Sequence, residues 1–114
     1  LLYRKLQMSA EVYHKRSFRE LMKDDRDWEG QHAMLQAQEN AAWPKDYVHV
    51  ATVKTGDREL AFQFTNSIER AWWENPQVIY NFEGEGCRST SVGDVVSIEG
   101  KAFLCEGCGW SELE

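Results

Sequence analysis

Asp94-Val95-Val96-Ser97-Ile98-Glu99-Gly100-Lys101-Ala102-Phe103-Leu104-Cys105 is the stretch on which the fold turns. Two short runs of apolar and β-branched residues flank Glu99-Gly100, and such a pattern around a glycine-containing pair predicts a β-hairpin. Pairing Ile98 with Lys101 sets Val96 opposite Phe103 on one face. Val95, Ser97, Ala102 and Leu104 then share the other. Neither face is cleanly polar, so both are expected to be covered.

Working outward, Val78-Ile79-Tyr80-Asn81-Phe82 reads as a strand set off by Asn75-Pro76. Tyr47 to Val53 is the clearest strand, and strict alternation would send Val48, Val50 and Thr52 one way and Tyr47, His49, Ala51 and Val53 the other. Between these strands, Thr55-Gly56-Asp57 makes a turn. Asp57 is placed to cap a helix whose Leu60, Ala61, Phe64 and Ile68 recur at helical spacing. Nearer the start, Glu11-Val12-Tyr13-His14 alternates as a short strand. Ser17-Phe18-Arg19-Glu20 matches a capping box that opens a helix through Lys23. A weakly amphipathic helix is expected from Trp28 to Ala42, ended by Trp43-Pro44. The sum is an α+β fold: a mostly antiparallel sheet with two or three helices packed on it and a C-terminal β-hairpin.

Length and composition bound this reading. The chain has 114 residues, 42% hydrophobic and 28% charged, which suits one globular domain. Met8-Ser9-Ala10 reads as a translation start. Residues 1–7 are therefore expected to be a non-native or upstream extension, and residues 8–114 a single α+β domain. No apolar run reaches the ~20 residues that span a bilayer, and no secretory signal opens the chain, so a cytoplasmic protein that does not engage membranes is expected.

The net charge is −6, carried by the C-terminal half: residues 1–60 hold 10 basic and 10 acidic groups, residues 61–114 hold 3 and 9. That balance opposes broad binding to duplex nucleic acid. The one basic cluster, Lys15-Arg16-Ser17-Phe18-Arg19, reads as a solvated helix start.

Three stretches hold residues that could carry chemistry. Cys105-Glu106-Gly107-Cys108, with Cys87 as a third ligand and His14, His32 or His49 as a fourth, has the spacing of part of a zinc site. Three cysteines in a chain without a signal peptide read more simply as reduced, inert thiols, and no cofactor is expected. Arg70-Ala71-Trp72-Trp73 sets two indoles side by side; one can close the core while the other stays on the surface beside Arg70. Arg88-Ser89-Thr90-Ser91 concentrates hydroxyls and a guanidinium before Gly93-Asp94. It lacks the glycine-rich pattern and following helix of a phosphate loop, so a turn into the hairpin is the simpler reading. No Gly-x-Ser-x-Gly or His-Glu-x-x-His pattern occurs, and catalysis is the least supported class.

Three blocks together resemble a known group. They are Phe62 to Ile68 running into Trp72-Trp73-Glu74-Asn75, then Arg88-Ser89-Thr90-Ser91-Val92-Gly93-Asp94-Val95-Val96, then Gly100-Lys101-Ala102-Phe103 ending in Gly109-Trp110. Their order resembles small uncharacterised proteins encoded by bacteriophages, plasmids and integron gene cassettes. The likeness spans roughly residues 57–113 and implies a dispensable accessory protein, with no catalytic residues to carry over.

The expected function is accordingly binding of another protein, with no catalysis, through Trp72, Trp73, Arg70, Arg88, Ser89, Thr90 and Ser91. A homodimer is one form this could take. The alternatives are a single-strand nucleic-acid binder using Trp72, Trp73, Arg70 and Arg88, or a zinc-stabilised module through Cys87, Cys105 and Cys108.

Overall fold

The computed structural model describes residues 8–16, 42–67 and 69–113. Two compact units make up the chain, residues 1–14 with 49–114 and residues 15–48. The expected helices over 17–23 and 28–42 lie almost wholly outside the described residues.

Six strands form one sheet: β1 (Ala10–Lys15), β2 (Tyr47–Val53), β3 (Val78–Tyr80), β4 (Val95–Ile98), β5 (Lys101–Glu106) and β6 (Gly109–Leu113). Their order across the sheet is β3-β2-β1-β4-β5-β6. Four of the five neighbouring pairs have antiparallel register. β1 and β2 also run oppositely, because Tyr13 packs on His49 while the earlier Glu11 reaches the later Thr52.

The hairpin forms as its sequence dictates. Ile98 pairs with Lys101, Val96 with Phe103 and Ser97 with Ala102. Glu99 and Gly100 have φ of 50° and 80°, the double positive φ of the two-residue turn that matches strand twist. β4 pairs on its other side with β1, Val12 opposite Val96 and Tyr13 opposite Val95. Val12 and Val96 therefore share one face, and Val95 lies on the other. Val95 and Val96 are both fully buried, so each face of the sheet contributes to a core.

The helix α1 (Arg58–Phe64) is the one α-helix among the described residues, joined by a single 3₁₀ turn at Trp72–Glu74. Of the two or three helices expected, this is the one that falls within the described residues. Asp57 caps α1 as anticipated, its Oδ1 accepting from the amides of Glu59 and Leu60 at 2.8 and 3.4 Å. The helix stops at Phe64, short of the anticipated Ile68. Thr65 turns its hydroxyl back to the Ala61 carbonyl, and its own carbonyl accepts from the amide of Thr90 at 2.9 Å. The Asn66 side chain donates to the Thr90 carbonyl at 2.6 Å. Tertiary hydrogen bonds thus claim the groups that another helical turn would use. α1 lies on the Val12–Val96 face, with Arg58 over the Phe103 ring at 4.5 Å and Trp110 donating its indole N–H to Glu59 at 2.7 Å.

Two details depart from the sequence reading. In β2, Val50 and Ala51 are both buried, and His49 and Thr52, three residues apart, reach the same side chain of β1. One carboxylate oxygen of Glu11 lies 2.6 Å from each of them. The second departure is β6, which was not anticipated. Glu106 pairs with Gly109 across the two-residue link Gly107-Cys108, so the Cys-x-x-Cys spacing belongs to a hairpin turn.

In the second unit, Asp46 closes the turn before β2. Its carboxylate accepts from the Ala42 amide and its own amide donates to the Ala42 carbonyl, both at 2.9 Å. Trp43 meets Tyr47 edge to face at 5.4 Å.

No helix among the described residues is long and apolar enough to cross a membrane.

Candidate functional site

The segment from the 3₁₀ turn to the start of β4 brings most of the singled-out residues to one end of the sheet. Its buried anchor is Asp94, which has no exposed surface. A buried carboxylate must be paired and hydrogen-bonded. Asp94 receives two parallel bonds from Arg88, at 2.6 and 2.8 Å, and a third from the Ser91 amide at 2.8 Å. The Arg88 guanidinium, 41% exposed, also reaches the Ser89 carbonyl and the Ser91 hydroxyl. The Arg-Ser-Thr-Ser-Val-Gly-Asp block is thereby folded around its own last residue.

Thr90 and Ser89 tie the block to the helix side. Thr90 is fully buried, with its backbone bonded to Thr65 and Asn66, and the Ser89 hydroxyl donates to the Ser67 carbonyl at 3.1 Å. The Thr90 hydroxyl lies 2.8 Å from Nε2 of His14, a contact between residues 76 positions apart. His14 projects from β1 onto the same face as Val12 and is 4% exposed. Its Nδ1 lies 3.6 Å from the Cys87 thiol, and its Nε2 lies 3.9 Å from Asp94. Burial drives its pKa from 6.5 down to about 4; the Asp94 carboxylate opposes that shift and the Arg88 guanidinium adds to it.

A thiol, an imidazole and a hydroxyl in line have the order of a nucleophile, a base and its orienting group. The basicity runs the other way. At neutral pH His14 is held uncharged, and its two ring nitrogens, facing Cys87 and Thr90, tie β1 to the 87–94 segment.

This arrangement makes the fold sensitive to acid in a defined window. Above 6.5 the imidazole is neutral in both folded and unfolded chains. Between 6.5 and about 4 only the unfolded chain takes up the proton, so stability falls as pH drops and levels off below that range. The loss amounts to up to about 3 kcal/mol. Urea unfolding of the wild type and His14→Gln at a series of pH values checks this: the variant should show a shallower decline between pH 6.5 and 4.

The two indoles divide their roles. Trp72 is 2% exposed and its N–H is shared between the carbonyls of Cys87 and Arg88, at 3.2 and 3.0 Å. Trp73 is half-buried and keeps open surface. The two rings meet edge to face at 5.5 Å, and Phe82 packs against both, at 5.6 and 5.3 Å. Tyr80 continues the row, 5.1 Å from Phe82. Gly86 lies under the Trp73 ring, where an added Cβ would come within 3.3 Å of it, so a larger residue would push the indole outward. Arg70 is exposed and lines a cavity of about 280 Å³ beside Trp72, with Phe64, Glu74 and Pro76.

Of the seven anticipated contact residues, Trp73 and Arg70 thus lie on open surface. Trp72 and Thr90 are buried, and Arg88, Ser89 and Ser91 hold the 87–94 segment together. Ile79 and Tyr80 were not singled out in the sequence, yet they are among the most exposed large apolar residues, at 55% each. The sequence offered no distinctive signal for them: the uncharged run from Asn75 to Phe82 is shorter than the one from Leu60 to Ile68.

The cysteines do not converge. Cys105 is buried in β5 beside Trp110, with its pKa raised by burial and by the nearby Asp94 and Glu59, whereas Cys108 is exposed in the turn. Among the described residues no group of three or more His, Cys, Asp or Glu side chains is placed to hold a metal ion.

Comparison with protein-family models, curated proteins and solved structures returns no match to this chain.

Proposed function

We propose that the chain is a non-catalytic binding protein that engages another protein through the border of its sheet at β3. The contact surface comprises Ile79, Tyr80, Phe82 and Trp73. The observation that carries this reading is the 55% exposure of both Ile79 and Tyr80 on an edge strand, next to a packed aromatic row. Aromatic side chains with a rigid backing supply contact area at low entropic cost, which is why they anchor protein interfaces. The charge-poor border on a chain of net charge −6 favours a protein surface over a phosphate backbone. Taken with the resemblance to proteins of bacteriophages, plasmids and integron cassettes, this gives an accessory protein of a mobile element working in the cytoplasm.

In-cell photo-crosslinking tests the reading. With p-benzoylphenylalanine in place of Ile79, a discrete protein adduct is expected. The same crosslinker at Glu112, on the opposite edge, should give far less. Absence of an adduct at position 79 contradicts the assignment.

A further inference from the structure

We infer that the occupant of this border is a second copy of the same chain, added edge to edge at β3 about a two-fold axis through Tyr80. The inference rests on the binding reading above and names its partner.

The backbone register fixes which groups face outward. Lys54 donates to the Gln77 carbonyl, and Asn81 donates to the Val50 carbonyl at 2.7 Å. With Thr52 paired to Ile79 between them, residues 77, 79 and 81 direct their backbone bonds to β2. Val78 and Tyr80 point the other way. The Val78 amide is already taken by the Asn75 carbonyl at 2.9 Å. Tyr80 is therefore the residue that offers both an outward N–H and an outward C=O. One donor and one acceptor on a single residue are self-complementary: two antiparallel copies exchange both bonds at Tyr80, as an isologous contact requires.

Side chains and charge agree with that axis. Val78 of one protomer would face Phe82 of its partner, and Ile79 would face Asn81. The two Tyr80 rings would lie as a cross-strand aromatic pair on one face, joining the Tyr80–Phe82–Trp73 rows of both copies. Residues 75–82 carry no charge, so two chains of net charge −6 meet without like charges opposed along the strand. Charge on the strand is one of the devices that keep natural edge strands unpaired. The opposite edge, β6, carries Glu112 in that role, and β3 has no such guard.

Sedimentation equilibrium of the full chain over a wide concentration range is the test, with Tyr80→Pro and Ile79→Lys as variants. The Tyr80 amide faces away from β2, so proline there removes the outward donor without cutting a bond to β2. The wild type should be a reversible dimer. Both variants should be monomers with wild-type far-ultraviolet circular dichroism, and the position-79 adduct should have twice the chain mass. A wild-type monomer at every concentration, with an adduct to a different protein, overturns the second-copy inference and leaves the binding reading standing. A wild-type monomer with no adduct overturns both. Folded variants that dimerise as the wild type does overturn the placement at β3.

Discussion

Arg88→Met should destabilise the fold by about 3–5 kcal/mol, the cost of leaving a buried charge without its partner. Asp94 has no exposed surface and lies under a bidentate guanidinium, so losing Arg88 strands a carboxylate out of contact with water. Arg88→Lys should fall between wild type and Met, because an ammonium supplies the charge without the planar fork. Arg88→Met/Asp94→Asn should recover part of the loss, since the neutral amide has no charge to strand and its oxygen can still accept from Ser91. Equilibrium urea unfolding of the four proteins measures this. A loss below about 1 kcal/mol, typical of exposed ion pairs, would show that the pair is a surface contact.

Trp72→Ala should cost a similar amount, about 3–5 kcal/mol, as a large buried ring replaced by a methyl group. Trp72 touches His14, Trp73 and Phe82, and its N–H closes onto the Cys87 and Arg88 carbonyls. Trp72→Phe keeps much of the packing and loses the donor, so its cost should be smaller, about 1–3 kcal/mol. Trp73→Ala, at a half-buried position, should cost less than Trp72→Ala and act mainly on partner binding. If the two alanine variants proved equally stable, the division of roles between the indoles would be wrong. Domains of this kind are stable by only about 5–15 kcal/mol, so Trp72→Ala is best measured at low temperature or with stabilising osmolyte.

What the sequence disclosed follows the range of the interactions involved. The hairpin register was legible because the turn residues and both strands are contiguous, and Asp57 capping needs only the next three residues. Ser91 makes the local turn contact with Asp94 that its sequence position suggests, whereas Ser89 and Thr90 reach Ser67 and His14, 22 and 76 residues away. The salt bridge from Arg88 to Asp94, six residues apart, left no pattern distinguishable from ordinary charge. His14 against Thr90 and Cys87 depends on the strand order, which places β1 beside β4, and no local signal encodes that. The joint contact of His49 and Thr52 with Glu11 escaped because it joins two strands 38 and 41 residues apart in sequence. β6 was hidden behind the cysteine spacing, which drew attention to ligands where the residues make a turn.

The same logic moves the contact surface. The Arg-Ser-Thr-Ser block is spent on building the end of the sheet, and the open apolar surface lies on β3, next to Trp73, the half-buried member of the indole pair. Hydrogen exchange at the Tyr80 amide tests this most directly. Its N–H faces away from β2, whereas that of Ile79 faces Thr52. Tyr80 is expected to exchange quickly in dilute protein and to become protected as concentration rises, while Ile79 is protected throughout. Rapid exchange at Tyr80 at all concentrations, with or without other partners present, would contradict it.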